Sequence, residues 1–155
     1  MKEQRDASSA FPWPPAIYGT AALLAWALGH VAPAQLTLPA GMRWAGWALV
    51  ALAAAIAGAA EISFLRAGTA TLPTSPTTAI VETGIFRFSR NPMYLAMTLA
   101  LIGLGVALSQ PWFWAAALIA ARLVTRFAIE REEAYLTRKF GAAYLAYSAR
   151  VRRWL

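Results

Sequence analysis

The chain has 155 residues, 59% of them hydrophobic and only 14% charged, with a formal net charge of +7. A soluble domain is about a quarter charged, so this composition excludes an ordinary soluble domain and points to a membrane protein, read as one domain over residues 1–155. Cysteine is absent and there is a single histidine, which excludes a disulfide framework, a thiolate metal site, a cysteine nucleophile and a His cluster.

Residues 1–10 are polar and mixed in charge. They lack an apolar core followed by small residues, so no cleavable signal peptide is expected. Phe11-Pro12-Trp13-Pro14-Pro15 stiffens the approach to the first apolar run, residues 16–32, with Trp13 suited to an interface. His30, near its far end, reads as an interfacial or capping residue.

The second span is expected over residues 42–64, opened by the interfacial pair Trp44 and Trp47. Its middle is alanine-rich, and Ala54 and Gly58, four apart, would allow close helix contact. Glu61 sits near its far end. It either faces a site or reaches water and Arg66. Residues 65–83 then form a linker rich in Thr, Pro and Ser.

Asn91-Pro92 starts the third span, residues 92–108: Asn is a good N-cap and Pro favours the first helical position. Ala96, Ala100, Gly103 and Ala107 fall on one face as a small-residue packing stripe. After Ser109-Gln110-Pro111 the fourth span, residues 111–128, opens with Trp112 and Trp114. Arg122 lies roughly 16 Å below Pro111 at 1.5 Å per residue, near the middle of a hydrocarbon core about 30 Å thick. An arginine there should face the bundle or a wet cavity. On an uninterrupted α-helix Arg122, Arg126 and Glu133 share one face, and Arg126–Glu130 makes an i,i+4 pair.

The tail is amphipathic, with Leu136, Phe140, Tyr144, Tyr147 and Val151 at helical spacing and Gly141 as a possible break. The expected fold is therefore all-α: a bundle of four transmembrane helices with a C-terminal amphipathic helix on the cytoplasmic side. Twelve of the 14 Lys and Arg residues fall on the side shared by both termini and the linker. The positive-inside rule makes that side cytoplasmic, at the cell (inner) membrane. The basic charge thus serves the membrane surface, and no nucleic acid partner is expected.

Arg87, Arg90, Asn91, Tyr94, Arg122, Arg126, Glu132 and Glu133 are expected to converge at one end of the bundle. Such a set suits a zwitterionic, hydroxyl-rich ligand. No Ser-His-Asp set, metal cluster or Walker loop can be assembled from this sequence.

Gly84-x-Phe86-Arg87-x-Ser89-Arg90-Asn91-Pro92-x-Tyr94, followed by Glu132-Glu133-x-x-Leu136 and Phe140-Gly141-x-x-Tyr144, resembles the isoprenylcysteine carboxyl methyltransferase family and the related phospholipid methyltransferases. The likeness spans residues 62–155 and includes Arg66-Ala67-Gly68-Thr69. It implies an integral membrane enzyme that uses S-adenosylmethionine. By position, it implies that Gly84, Arg90, Asn91, Pro92, Tyr94, Glu132 and Glu133 hold the cofactor. Many members of that family have His where this chain has Asn91; Asn donates a hydrogen bond but cannot carry a proton. Arg122 and Arg126 are added from their depth as catalytic candidates that orient the acceptor, with Glu132 or Glu133 as the base for an amine acceptor. The acceptor is expected to be lipophilic: an isoprenylcysteine-like carboxylate, a phospholipid amine, or a small thiol or carboxyl compound. Two other readings remain: a small proton-coupled transporter built on Glu61, and a membrane reductase of similar C-terminal architecture.

Overall fold

The computed structural model describes residues 13–34, 36–68 and 79–155. Phe11-Pro12, Thr69 and the Pro-rich part of the linker lie outside the described residues. Those that are described are helical, with no strand among them. The order is α1 (Pro14–Val31), α2 (Met42–Arg66), a 3-10 turn (Gly84–Arg87), α3 (Pro92–Ala107), α4 (Trp112–Val124), a π-turn (Thr125–Ile129), α5 (Glu130–Phe140) and α6 (Ala142–Arg150). α1 to α4 fall on the four apolar runs. Among the described residues two helices are long and apolar enough to cross a bilayer: Met42–Arg66 and the continuous helix Trp112–Phe140. α3 is apolar but shorter, and α1 is diluted by Pro14, Pro15 and His30.

α3 is the central helix, packed along α2 on one side and α4 on the other, while α1 packs mainly on α4. The α2–α3 seam is close because glycine faces glycine. A Cβ at Gly103 would lie 2.9 Å from the Gly46 carbonyl oxygen, and a Cβ at Gly46 would collide with the Ala107 backbone. Close backbone approach through small residues is how apolar helices associate without a hydrophobic driving force between them. The α3 stripe is used as expected, since Ala96, Gly103 and Ala107 are buried. The α2 expectation is corrected: Ala54 and Gly58 are exposed, and the buried face runs instead through Gly46, Ala53 and Ala60.

A second cluster joins α1, α3 and α4 through Tyr18, Ala25, Leu101, Phe113, Ala120 and Val124, continuing to Ala128 and Ile129 in the π-turn. The Tyr18 hydroxyl lies 2.8 Å from that of Thr98, so a polar pin crosses this apolar layer. His30 Nδ1 lies 3.0 Å from the Trp26 carbonyl oxygen, one turn back on α1.

Gly141 separates α5 from α6 at φ +54°, a conformation that favours glycine. The turn folds α6 back, and the last residues then return across the start of α3. The Arg90 N–H donates to the Arg152 carbonyl at 3.0 Å, and Trp154 packs against the α1/α3/α4 cluster.

Candidate active site

The N-terminus of α3, the acidic start of α5 and the inner face of α6 enclose a cavity of about 190 Å³. A single water needs about 10–15 Å³ on such a measure, so the space suits a ligand of many atoms. Arg90, Asn91, Tyr94, Glu132, Glu133 and Tyr144 form its polar wall. Trp13, Pro14 and Pro15 before and within α1, Phe64 of α2, Val81, Phe86, Met93 and Met97 form its apolar wall.

Asn91 stands at the N-cap position of α3 but makes no side-chain cap. Its Nδ2 donates to the Arg153 carbonyl at 2.9 Å, and its backbone N–H donates to the Ser89 hydroxyl at 3.1 Å. The expected capping role is thereby corrected: this side chain ties the C-terminal tail to α3. Pro92 at the first helical position fixes the entry, as expected.

The two adjacent glutamates meet different surroundings. Glu133 is held by two arginines: Arg90 at 3.0 Å and Arg153 at 2.7 Å and 3.0 Å in a two-point pair. The pair with Glu133 raises the Arg153 guanidinium. Arg90 also donates to the Tyr144 hydroxyl at 3.2 Å. Its Nε–H is buried and has no hydrogen-bond partner among the described residues, an arrangement that costs free energy unless a ligand accepts from it. Among the described residues Glu132 has no cationic partner. It accepts from the Tyr94 hydroxyl at 3.4 Å. Burial pushes its carboxyl up to about 6, the Tyr94 hydrogen bond pulls the other way, and neighbouring Glu133 adds to the rise. Burial likewise raises the Tyr144 and Tyr147 hydroxyls. The Tyr147 hydroxyl donates to the Phe86 carbonyl at 2.8 Å and so fixes the 3-10 turn against α6.

A π-turn separates these glutamates from the apolar part of their helix, with the Glu130 N–H donating to the Thr125 carbonyl. A π-turn takes in one extra residue, which shifts helical phase by about 100°. This undoes the expectation that Arg122, Arg126 and Glu133 share a face. Glu132 and Glu133 turn into the cavity. Arg122 and Arg126 stay on the outer face of the helix, exposed, so Arg122 does not face the bundle. Arg126 makes the expected i,i+4 pair with Glu130 at 2.7 Å. The buried line Ala117, Ala120, Val124 and Ala128 takes the inner face instead.

The structure therefore brings together Arg90, Asn91, Pro92, Tyr94, Glu132 and Glu133, and places Arg122 and Arg126 outside the cavity. Arg87 is exposed. Gly84 does not line the cavity either. It holds φ +62° and approaches α2, where an added Cβ would meet Ser63 Oγ at 2.6 Å. Glu61 is half-buried on α2 and is absent from the cavity wall. Sequence reasoning missed Arg153, Tyr144, Tyr147 and the apolar wall as parts of the site. The aromatic spacing of the tail signals the two tyrosines; no spacing signals Arg153.

No solved structure matches the chain. An uncharacterized protein of Haemophilus influenzae is 40% identical over 63 residues, covering 41% of this chain and the whole of that protein. The family model described as phospholipid methyltransferase matches residues 41–143, from the start of α2 into α6. That stretch carries the start of α3, the π-turn and both cavity glutamates, and by this match the chain belongs to the phospholipid methyltransferase family.

Proposed function

We propose that the cavity binds S-adenosylmethionine and that the protein transfers its methyl group to a lipophilic amine entering from the bilayer. The observation that carries this reading is the contrast between the glutamates: Glu133 is neutralised by arginines, while Glu132 faces the cavity as a carboxylate with no cation beside it among the described residues. The residues present fit the cofactor. The buried, unpartnered Arg90 Nε–H suits a carboxylate, Glu132 suits an ammonium group, and the apolar wall suits the rest of a large ligand.

The cofactor supplies an activated methyl group. The chain supplies position and charge. Arg90 is fixed by Glu133 and Tyr144, so its buried Nε–H is preorganised. Asn91 and the Arg153 carbonyl lock the start of α3 to the tail. An amine acceptor must lose its proton before its lone pair can form the new bond, and Glu132, near pKa 6, is placed to take that proton. A carboxylate acceptor is less well served, because the exposed Arg122 and Arg126 do not reach the cavity and Arg90 already holds Glu133.

In this reading α1 to α4 each cross the membrane, with both termini and the cavity at the cytoplasmic end of the bundle. The membrane is the cell membrane, and residues 1–155 act as one domain. The apolar wall formed by Trp13, Phe64 and Met97 receives the lipophilic part of the acceptor. The transporter reading gains nothing from Glu61, which stands away from this cavity. The test is transfer of labelled methyl from S-adenosylmethionine by the purified protein in lipid, offered lipid amines and lipid carboxylates side by side. Label in the amine lipids alone supports the reading; label in the carboxylates alone removes Glu132 as the base.

A further inference from the structure

Arg153 is not in the wall of the cavity, yet it holds a residue that is. Its guanidinium meets both oxygens of Glu133, through Nε at 3.0 Å and Nη2 at 2.7 Å. Glu133 in turn meets Arg90 Nη1 at 3.0 Å, and the same Nη1 donates to the Tyr144 hydroxyl at 3.2 Å. The backbone closes the circuit. The Arg90 N–H donates to the Arg152 carbonyl at 3.0 Å, and Asn91 Nδ2 donates to the Arg153 carbonyl at 2.9 Å. Trp154, packed on the α1/α3/α4 cluster, anchors the tail on its far side. The start of α3, the start of α5 and the tail are thus tied in one ring that passes through Arg90.

The buried Nε–H of Arg90 has no acceptor among the described residues. A guanidinium is planar, so holding Nη1 between Glu133 and Tyr144 sets where that N–H points. Arg153 governs the direction at second hand. It occupies both oxygens of Glu133, whereas Arg90 meets Oε1 alone. Without Arg153 the carboxylate keeps a single contact and is free to turn about its own side-chain bonds, taking Arg90 with it. Two-point pairing fixes orientation as well as charge, and a lysine supplies the charge without the fork. We infer that Arg153 is a positioning residue of the cofactor site, which acts through Glu133 to aim the Arg90 Nε–H at the carboxylate of the cofactor's amino-acid end. Asn91 serves the same site by holding the tail that carries Arg153. The inference rests on the proposed function, because the ligand's carboxylate is the acceptor that Arg90 lacks.

Calorimetric titration of the full chain in lipid tests it with two ligands: S-adenosylhomocysteine, and methylthioadenosine, which lacks the amino-acid end. The wild type should bind S-adenosylhomocysteine the more tightly. Arg153→Gln should bind it about tenfold more weakly, the scale of one charge-assisted hydrogen bond, and should bind methylthioadenosine within about twofold of the wild type. A tail that merely holds the fold together would weaken both ligands by the same factor. That result overturns the assignment, as does equal affinity of wild type and Arg153→Gln for S-adenosylhomocysteine. Arg153→Lys separates geometry from charge, and carries the test if Arg153→Gln does not fold. It should lose about threefold or more for S-adenosylhomocysteine alone; full retention means that charge suffices and overturns the positioning role. Arg138→Gln, the same loss of charge at an exposed position of α5, should bind both ligands as the wild type does. A loss there equal to that of Arg153→Gln makes net charge the cause and overturns the assignment. A wild type that binds neither ligand removes the cofactor reading and this assignment with it. A wild type that binds both equally tightly keeps the cofactor in place and overturns the assignment alone.

Discussion

The cavity end of α3 and the outer face of α4 are both arginine-bearing surfaces next to apolar helix, yet they behave in opposite ways. At the cavity, Arg90 and Arg153 are gathered onto one carboxylate, Glu133. Beyond α4, in the π-turn, Arg126 makes a pair whose partners are 75% and 40% exposed, and on α4 Arg122 makes none among the described residues. The difference lies in backbone phase more than in residue type. The π-turn at Thr125–Ile129 stands between the two sets and sends them to different faces. Paired charges inside a partly dry pocket preorganise a site, whereas an exposed pair contributes little to stability.

The harshest way to break this contrast is to alter the phase. Inserting one alanine between Ile129 and Glu130 turns Glu132 and Glu133 by about 100°. Cofactor binding should disappear in calorimetry while the helix content of the folded protein, read by circular dichroism, stays near that of the wild type. Removing Phe127, an exposed π-turn residue, should let an ordinary α-helix run through with both faces kept. Binding should then remain within about threefold, equivalent to under 1 kcal/mol.

Glu133→Ala attacks the gathered arginines directly. It leaves Arg90 and Arg153 without their carboxylate, which should cost about 3 kcal/mol of stability in a thermal or denaturant unfolding series. Binding should fall with it, because Arg90 loses the partner that fixes it. Glu132→Gln should be gentler on the fold and hard on turnover, lowering it about 100-fold for an amine acceptor with a smaller loss of cofactor affinity.

The same substitution has a pH signature. Burial raises Glu132 from its ordinary 4.5 to about 6, so the fold favours the neutral acid. The stabilising contribution of that form is present below about pH 4.5 and is lost as pH rises through about 6. Glu132→Gln, neutral throughout, should remove this dependence from an unfolding series. Turnover runs the other way. It needs the carboxylate, so in the wild type kcat/KM for the cofactor, which reports the unliganded site, should fall as pH drops through about 6. The smallest effect belongs to Arg126→Gln, which breaks an exposed pair worth about 0.3–0.5 kcal/mol and should leave cofactor binding unchanged within twofold.

Much of this architecture is legible in residue spacing. Apolar runs, Pro92 and the small-residue stripe of α3 place the helices, because helix period and proline geometry are local properties. The paired motifs around Asn91 and Glu132 mark the site. Three features are not legible. The π-turn has no strong sequence signal, and it alone overturns the shared face of Arg122 and Glu133. Ala54 and Gly58 look like a packing pair, but which small face of α2 is used depends on how α3 lies against it, and Gly46 opposite Gly103 wins. Arg153 belongs to a basic tail that reads as surface charge. Its bond to Glu133, 20 residues away, exists because Gly141 folds the tail back across α3.

The most direct test of the account is calorimetric titration of S-adenosylmethionine into the lipid-supplied protein at pH 5.5 and pH 7.5, beside Glu132→Gln. The account predicts saturable binding to the wild type, tighter at the higher pH and accompanied by proton release at the lower one, because the cofactor's positive charge draws Glu132 into its ionised form. Glu132→Gln should bind more weakly and lose the pH dependence. Folded protein that binds no cofactor at either pH, or a wild type and variant with the same affinity and the same proton count, would contradict it.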